Sequence, residues 1–218
     1  MKFFSLSFLL ISLILLPDVN AKTIYEMLNS GERKEAIKIL RNLSSEENNI
    51  DAKYILGILY NDASSINLCH IDDFCISNSL SNYKEAKKIF IELYRDHNDP
   101  RAAYALGEFN DDHWFFGKNY KSAFKYYLFS AKLGIPEAQY NVANMYELGD
   151  GVKKDIVQSV RWYLQCNVSS LCGAGNEGID DLINKISKED FEYAQSQVDY
   201  DLDEVDIRIT VAREIVIK

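Results

Sequence analysis

Apolar positions along this chain recur with the spacing of α-helices. Ala138, Val142, Ala143 and Tyr146 fall at i, i+4, i+5 and i+8 and so line one side of a helix. The phrase that holds them is a repeat. Pro136-Glu137-Ala138-Gln139-Tyr140-Asn141-Val142-Ala143 stands 36 residues beyond Pro100-Arg101-Ala102-Ala103-Tyr104-Ala105-Leu106-Gly107. Ala52, Tyr54, Leu56 and Gly57 stand 50 residues before Ala102, Tyr104, Leu106 and Gly107, so the earlier unit carries about 14 additional residues.

A second amphipathic phrase lies between copies of the first. Lys84-Glu85-Ala86-Lys87-Lys88-Ile89-Phe90, Lys121-Ser122-Ala123-Phe124-Lys125-Tyr126-Tyr127 and Gln158-Ser159-Val160-Arg161-Trp162-Tyr163 read as successive copies. Lys34-Glu35-Ala36-Ile37-Lys38-Ile39-Leu40 comes 50 residues before the first of them. Each unit thus predicts two helices. No unit can bury its stripe alone, whereas stacked units share one core, so the expected architecture is an all-α solenoid of about four to five helix-turn-helix repeats. Gly57, Gly107 and Ala143 share a slot in the first helix. A mid-helix glycine costs about 1 kcal/mol relative to alanine, so its recurrence predicts a close approach of helices.

Towards the end, Ile179, Leu182, Ile183 and Ile186 mark a further helix, and Ser187-Lys188-Glu189-Asp190 reads as a capping box for the next. Val205, Ile207, Ile209 and Val211 then alternate with polar residues like a strand, which needs a partner to be stable. The start differs from everything after it. Lys2, the apolar run Phe3 to Leu16 and the small-x-small pattern Val19-Asn20-Ala21 predict a secretory signal peptide, with no later stretch able to cross a bilayer. The expected division is 1–21 signal peptide, 22–198 solenoid and 199–218 acidic, β-branched tail of undetermined structure.

With 24 basic and 33 acidic residues the net charge is -9, which opposes a phosphate backbone and argues against nucleic acid as a partner. The four cysteines form two pairs of equal spacing, Cys69 with Cys75 and Cys166 with Cys172. In an exported chain this argues for two disulfides. Three connectivities are open, and the two local loops are favoured because their ends are already close. A helix cannot hold i and i+6 on one face, so each local pair would bracket a turn.

Metal and catalytic readings find little support. Cys69, His70 and Cys75 lack the spacing and the fourth ligand of a structural zinc site. The acids from Asp199 to Asp206 begin like a calcium loop but put Glu204 where glycine is needed and Thr210 where the bidentate glutamate belongs. There is no G-x-S-x-G, H-E-x-x-H or glycine-rich phosphate motif, and His70, His97 and His113 have no repeated partner. The sequence therefore implies no catalytic residue, metal or cofactor.

Gly149-Asp150-Gly151-Val152-Lys153-Lys154-Asp155 resembles the G-x-G-V-x-x-D loop of the Sel-one-like repeats, relatives of the tetratricopeptide repeats. Trp162-Tyr163 is similar to that family's second-helix pair, and Gly134-Ile135-Pro136-Glu137-Ala138 to its link between units. The likeness is close over 101–168 and looser over 51–97, where an insertion replaces the loop. Asp111-Asp112-His113-Trp114-Phe115-Phe116 also departs from it. The resemblance implies a right-handed α/α solenoid that binds proteins or peptides without catalysis. It also resembles cysteine-rich members that clasp adjacent units by a disulfide, which favours Cys166 with Cys172. Two alternatives go with it: binding or slow hydrolysis of β-lactams, and immunity against a toxin delivered to the periplasm.

In such solenoids the first helices line a concave groove. Register places Tyr54, Tyr104 and Tyr140 at one position, Ile58, Glu108 and Asn144 one turn further, and Glu147 with Asp111 a turn beyond. Of these, Tyr54, Tyr104, Glu108, Tyr140, Asn144 and Glu147, with Trp114 from the aromatic loop, are the expected partner-binding set. The tyrosines have two readings, as rings buried between units or as an exposed recognition ladder. The partner is expected to be a protein or peptide met in the periplasm or outside the cell, with no stable membrane insertion once the signal peptide is removed.

Overall fold

The computed structural model describes residues 22–30, 32–46, 48–62, 79–111, 117–169, 172, 179–202 and 216–217. The expected signal peptide, Cys69 and Cys75, Trp114 and the alternating stretch Val205 to Val211 lie outside them. The described chain is built from helices: α1 (Ile24–Asn29), α2 (Arg33–Ser45), α3 (Ile50–Asp62), α4 (Ser79–His97), α5 (Pro100–Asp111), α6 (Tyr120–Lys132), α7 (Pro136–Leu148), α8 (Ile156–Val168), α9 (Ile179–Ile183) and α10 (Lys188–Ser196).

Local chemistry sets their ends. Thr23 and Glu26 form a reciprocal capping box at α1. The side chains of Asn119 and Asp155 accept from the third residue of α6 and α8 at 3.1 and 3.0 Å, satisfying amides that have no partner within the helix. Pro100 and Pro136 begin α5 and α7, where a missing N–H costs nothing. Gly149 closes α7 with φ 87°, a left-handed geometry that glycine adopts without strain. Ser187 caps α10 as expected, its Oγ accepting from the Asp190 amide and donating to the Asp190 carboxylate, both at 3.0 Å.

The helices pack as successive hairpins, α3 on α4, α5 on α6 and α7 on α8, and each hairpin also packs on the next through α4–α5 and α6–α7. Two buried clusters result, one from Ile24 to Phe109 and one from Ala123 to Ala194. They share α5, because Ala102 and Leu106 belong to the first while Tyr104 packs on the second. This is an α-solenoid of helix-turn-helix units.

The small slot is occupied more tightly than helix proximity alone would require. A Cβ on Gly57 would lie 2.6 Å from the Phe90 ring, and one on Gly107 would clash with the edge atoms of the Tyr127 ring. The close partner is thus a second-helix aromatic rather than a neighbouring backbone. The structure also shifts the alignment of the last second-helix phrase by one residue. Caps and tertiary contacts recur at 36 residues, so Ser159, and not Val160, takes the slot of Ala123, and both are fully buried.

Cys166 at the end of α8 is joined to Cys172, with Cα atoms 5.5 Å apart. The pair brackets the helix end, as its spacing required. After α10, which packs on α8, the chain is clamped by Gln165: its amide donates to the Asp199 carbonyl at 2.8 Å and accepts from the Asp199 N–H at 2.7 Å. Near the terminus, β2 (Val216–Ile217) pairs antiparallel with β1 (Lys22–Thr23), Thr23 opposite Val216. Two tail residues beyond the alternating stretch thus pair with this chain's own first described residues. No helix among the described residues is long and apolar enough to cross a membrane.

Candidate functional site

The first helices α3, α5 and α7 bring the repeated tyrosines into equivalent surroundings. Tyr54 meets Phe90 with ring centroids 5.9 Å apart, Tyr104 meets Tyr127 at 5.7 Å, and Tyr140 meets Tyr163 at 5.5 Å. Each pair joins the two helices of one hairpin, in the tilted or edge-on arrangement that aromatic quadrupoles favour. Tyr54 is 3% exposed and gives its ring wholly to packing. Tyr104 and Tyr140 are half-buried, so each combines a packing role with an accessible edge.

Carboxylates gather around the phenols. Burial first, then the Glu108 charge and hydrogen bond, push the Tyr104 hydroxyl above the ordinary tyrosine range, while Asn141 acts the other way. Burial also raises Tyr127, with Glu108 and Asp111 adding to it, and its hydroxyl donates to Asp111 Oδ2 at 3.4 Å. One repeat on, Tyr163 donates to Glu147 Oε2 at 3.4 Å and is raised by burial and by that carboxylate. Tyr54 is raised by burial against the opposing charge of Arg101, and it also feels Glu108 and Glu137.

Glu108, Asp111, Glu137 and Glu147 therefore form an acidic row across α5 and α7. Glu108 is exposed, and Asp111, Asn144, Glu137 and Glu147 are half-buried. The cation beside Tyr54 is already engaged. Arg101, 9% exposed, donates to both oxygens of Asp99 at 3.1 and 2.7 Å and to Asp51 at 2.8 Å, with its Cζ 4.6 Å from the Tyr54 ring centre. Burial alone would lower its pKa, but Asp99 and Asp51 outweigh that and hold the guanidinium protonated. This cluster ties α3 to α5 and contributes no free positive charge to the row.

Of the residues expected to bind a partner, the structure thus brings Tyr104, Glu108, Tyr140, Asn144 and Glu147 to a surface shared by α5 and α7, and places Tyr54 in the core. Glu137, Asn141 and the Arg101 cluster were missing from the expected set. The signal for two of them was present, since Asp51, Arg101 and Glu137 all directly precede the repeated alanine. Among the described residues there is no His, Cys, Asp or Glu group arranged to hold a metal ion.

The Sel1 repeat family matches residues 100–135 and 136–165. A Sel1 repeat protein from Oxalobacter formigenes has a similar structure, with a TM-score of 0.55 and 22% identity over 75% of this chain. So does c5321, described as a protective antigen present in uropathogenic Escherichia coli strains displaying an SLR fold, with a TM-score of 0.50 and 18% identity over 79% of this chain. The chain spans 62% and 42% of the lengths of those two proteins. No curated protein matches it. The two matched segments coincide with hairpins α5–α6 and α7–α8, whose contacts repeat at the same interval, so this α-solenoid contains two Sel1 repeats.

Proposed function

We propose that this protein is an exported, non-catalytic interaction module, which holds a protein or peptide partner against the concave face formed by its first helices. The observation that carries the reading is the row of Glu108, Asp111, Glu137 and Glu147 beside half-exposed Tyr104 and Tyr140. Sel1 repeats commonly serve protein interactions, which supports the reading at the level of the fold. The row adds chemistry: tyrosine edges offer large contact area and hydroxyls at little entropic cost, and a line of carboxylates favours lysine and arginine on the partner. Trp114, shortly after α5 in sequence, remains part of this proposal as an aromatic anchor.

Export rests on the sequence pattern of residues 1–21, and the disulfide Cys166–Cys172 is consistent with an oxidising compartment. The test places a photo-crosslinking residue at Asn144 or Glu108 in the protein expressed in its own cell, followed by mass spectrometry and N-terminal sequencing. The expected result is a chain starting at Lys22 that cross-links to a defined protein through a basic segment, with the yield lost in a Glu108→Lys/Glu147→Lys variant. Cross-linking no stronger than at an exposed position on α10 would overturn the reading.

A further inference from the structure

The outward side of α6 has the opposite character. Lys121, Lys125, Leu128 and Lys132 follow one another at intervals of four, three and four residues and so share a face. They border a cavity of about 600 Å³. Its floor is half-buried Phe124, Leu128 and Phe129, which leaves apolar surface open to solvent between the lysines.

Both walls are fixed by contacts already present. On one side Tyr94 of α4 stands edge-on to Tyr126 at 5.2 Å and to Phe129 at 5.0 Å. On the other side the loop after α7 rests directly on the first turn of α6. Gly151 has φ 69°, and a Cβ there would run into the backbone of Tyr120 and Lys121, so glycine alone lets this loop sit so close and bring Val152 to the rim. Phe124 is held by an edge contact with Tyr146 at 5.1 Å. The groove is thus preformed, which reduces the ordering cost of binding.

Its charge runs against that of the molecule. The chain carries -9, yet α6 has no acidic residue at all, and Lys121, Lys125 and Lys132 are exposed and make no ion pair among the described residues. Asp150 and Asp155 near the Gly151 wall are balanced by Lys153 and Lys154 between them. Two helical turns separate Lys125 from Lys132, a rise of about 10 Å, with the apolar floor between.

We propose that this groove is a second docking site, for an acidic peptide segment of a protein partner in which large apolar side chains are bracketed by aspartate or glutamate. The apolar side chains lose water against Phe124, Leu128 and Phe129, and the flanking carboxylates pair with the lysines at the rim. The floor supplies affinity, while the rim supplies selection of sign and a dependence on salt. The site is separate from the acidic row of the first helices and selects the opposite charge.

Fluorescence anisotropy on the full chain tests it, using a labelled peptide with a Leu-Phe centre flanked by Glu and Asp, and a control with lysines in place of the acids. The acidic peptide should bind, more weakly as salt rises, whereas any binding of the basic one belongs to the acidic row of the first helices and should not depend on the groove lysines. A Lys121→Glu/Lys125→Glu/Lys132→Glu variant with an unchanged helical spectrum should weaken it by about tenfold or more, since like charges now face each other. Leu128→Asp should do likewise, and Lys188→Glu on α10, an exposed lysine outside both sites, should leave it unchanged. No binding of the acidic peptide, its undiminished binding to the triple variant, or basic-peptide binding that falls with the groove lysines would overturn the proposal. So would a lysine-dependent attachment to phosphatidylglycerol vesicles by a protein that ignores the acidic peptide.

Discussion

The hairpins α5–α6 and α7–α8 occupy the same geometry with different atoms. Ser130 in the first donates to the Pro100 carbonyl at 2.8 Å. One repeat later the Cys166 sulfur, which as half of a disulfide has no proton to give, sits 3.2 Å from the Pro136 carbonyl. Gly107 admits the Tyr127 ring, whereas Ala143 stands in that slot opposite Tyr163. Buried Arg101 neutralises two aspartates in the first turn of α5, and Glu137 takes its place in the first turn of α7. The repeat thus specifies positions and directions, while the stabilising chemistry at each position is free to change. The first hairpin relies on an ion cluster and a close ring contact, the second on a covalent clasp.

Alkaline solution should separate the two most strongly. Tyr104 and Tyr127 of the first hairpin and Tyr163 of the second are all held above the ordinary tyrosine pKa of 10.0 by burial and then by carboxylates. Above that pH the unfolded chain releases protons that the folded chain retains, so stability is complete below it and falls as pH rises. Circular dichroism against pH should show loss of helix at high pH. Tyr104→Phe with Tyr127→Phe should move the midpoint further upward than Tyr163→Phe does.

Arg101→Met should follow in size. It leaves Asp99, 5% exposed, without its partner, a change worth about 3–5 kcal/mol in a buried pair, to be read from the urea midpoint. The matching change in the second hairpin, Glu137→Gln, should cost far less, and an equal loss would remove the distinction drawn between the first turns of α5 and α7. Opening the Cys166–Cys172 loop by Cys166→Ala/Cys172→Ala should cost about 2 kcal/mol, and reducing agent should have no further effect on that variant at this site.

The small slot should then show opposite preferences. Gly107→Ala forces Tyr127 to move and should destabilise by about 1–2 kcal/mol, while Ala143→Gly should lose about 1 kcal/mol of helix propensity together with the packing of a buried methyl. The smallest effect is a gain. Ser159 sits in the slot of Ala123 with its Oγ buried and no hydrogen bond among the described residues, so Ser159→Ala should raise stability by about 1 kcal/mol in thermal unfolding.

The legible part of the fold was its period. The recurring alanine, tyrosine and small residue announced paired helices, and the structure sets Tyr54, Tyr104 and Tyr140 against equivalent second-helix rings. The local clasp at Cys166 and the cap at Ser187 were also readable, because both depend on residues a few positions apart. The site was readable only in part. Glu108, Asn144 and Glu147 follow from register, but nothing in the spacing says that Glu108 acts on tyrosines of two hairpins, or that Tyr54 is fully enclosed.

Periodicity, caps and short-range cysteine spacing belong to single helices and their ends, where i to i+4 geometry is the same in any context, and so the chain alone was sufficient for them. Three features depend on which helix stands beside which: the closure of β1 by β2, the Arg101 bridge from α5 back to α3, and the lysine-rimmed groove between Tyr94 and Gly151. Each joins residues distant along the chain through stacking and loop placement. No local pattern encodes those distances, and only the assembled tertiary structure settles them.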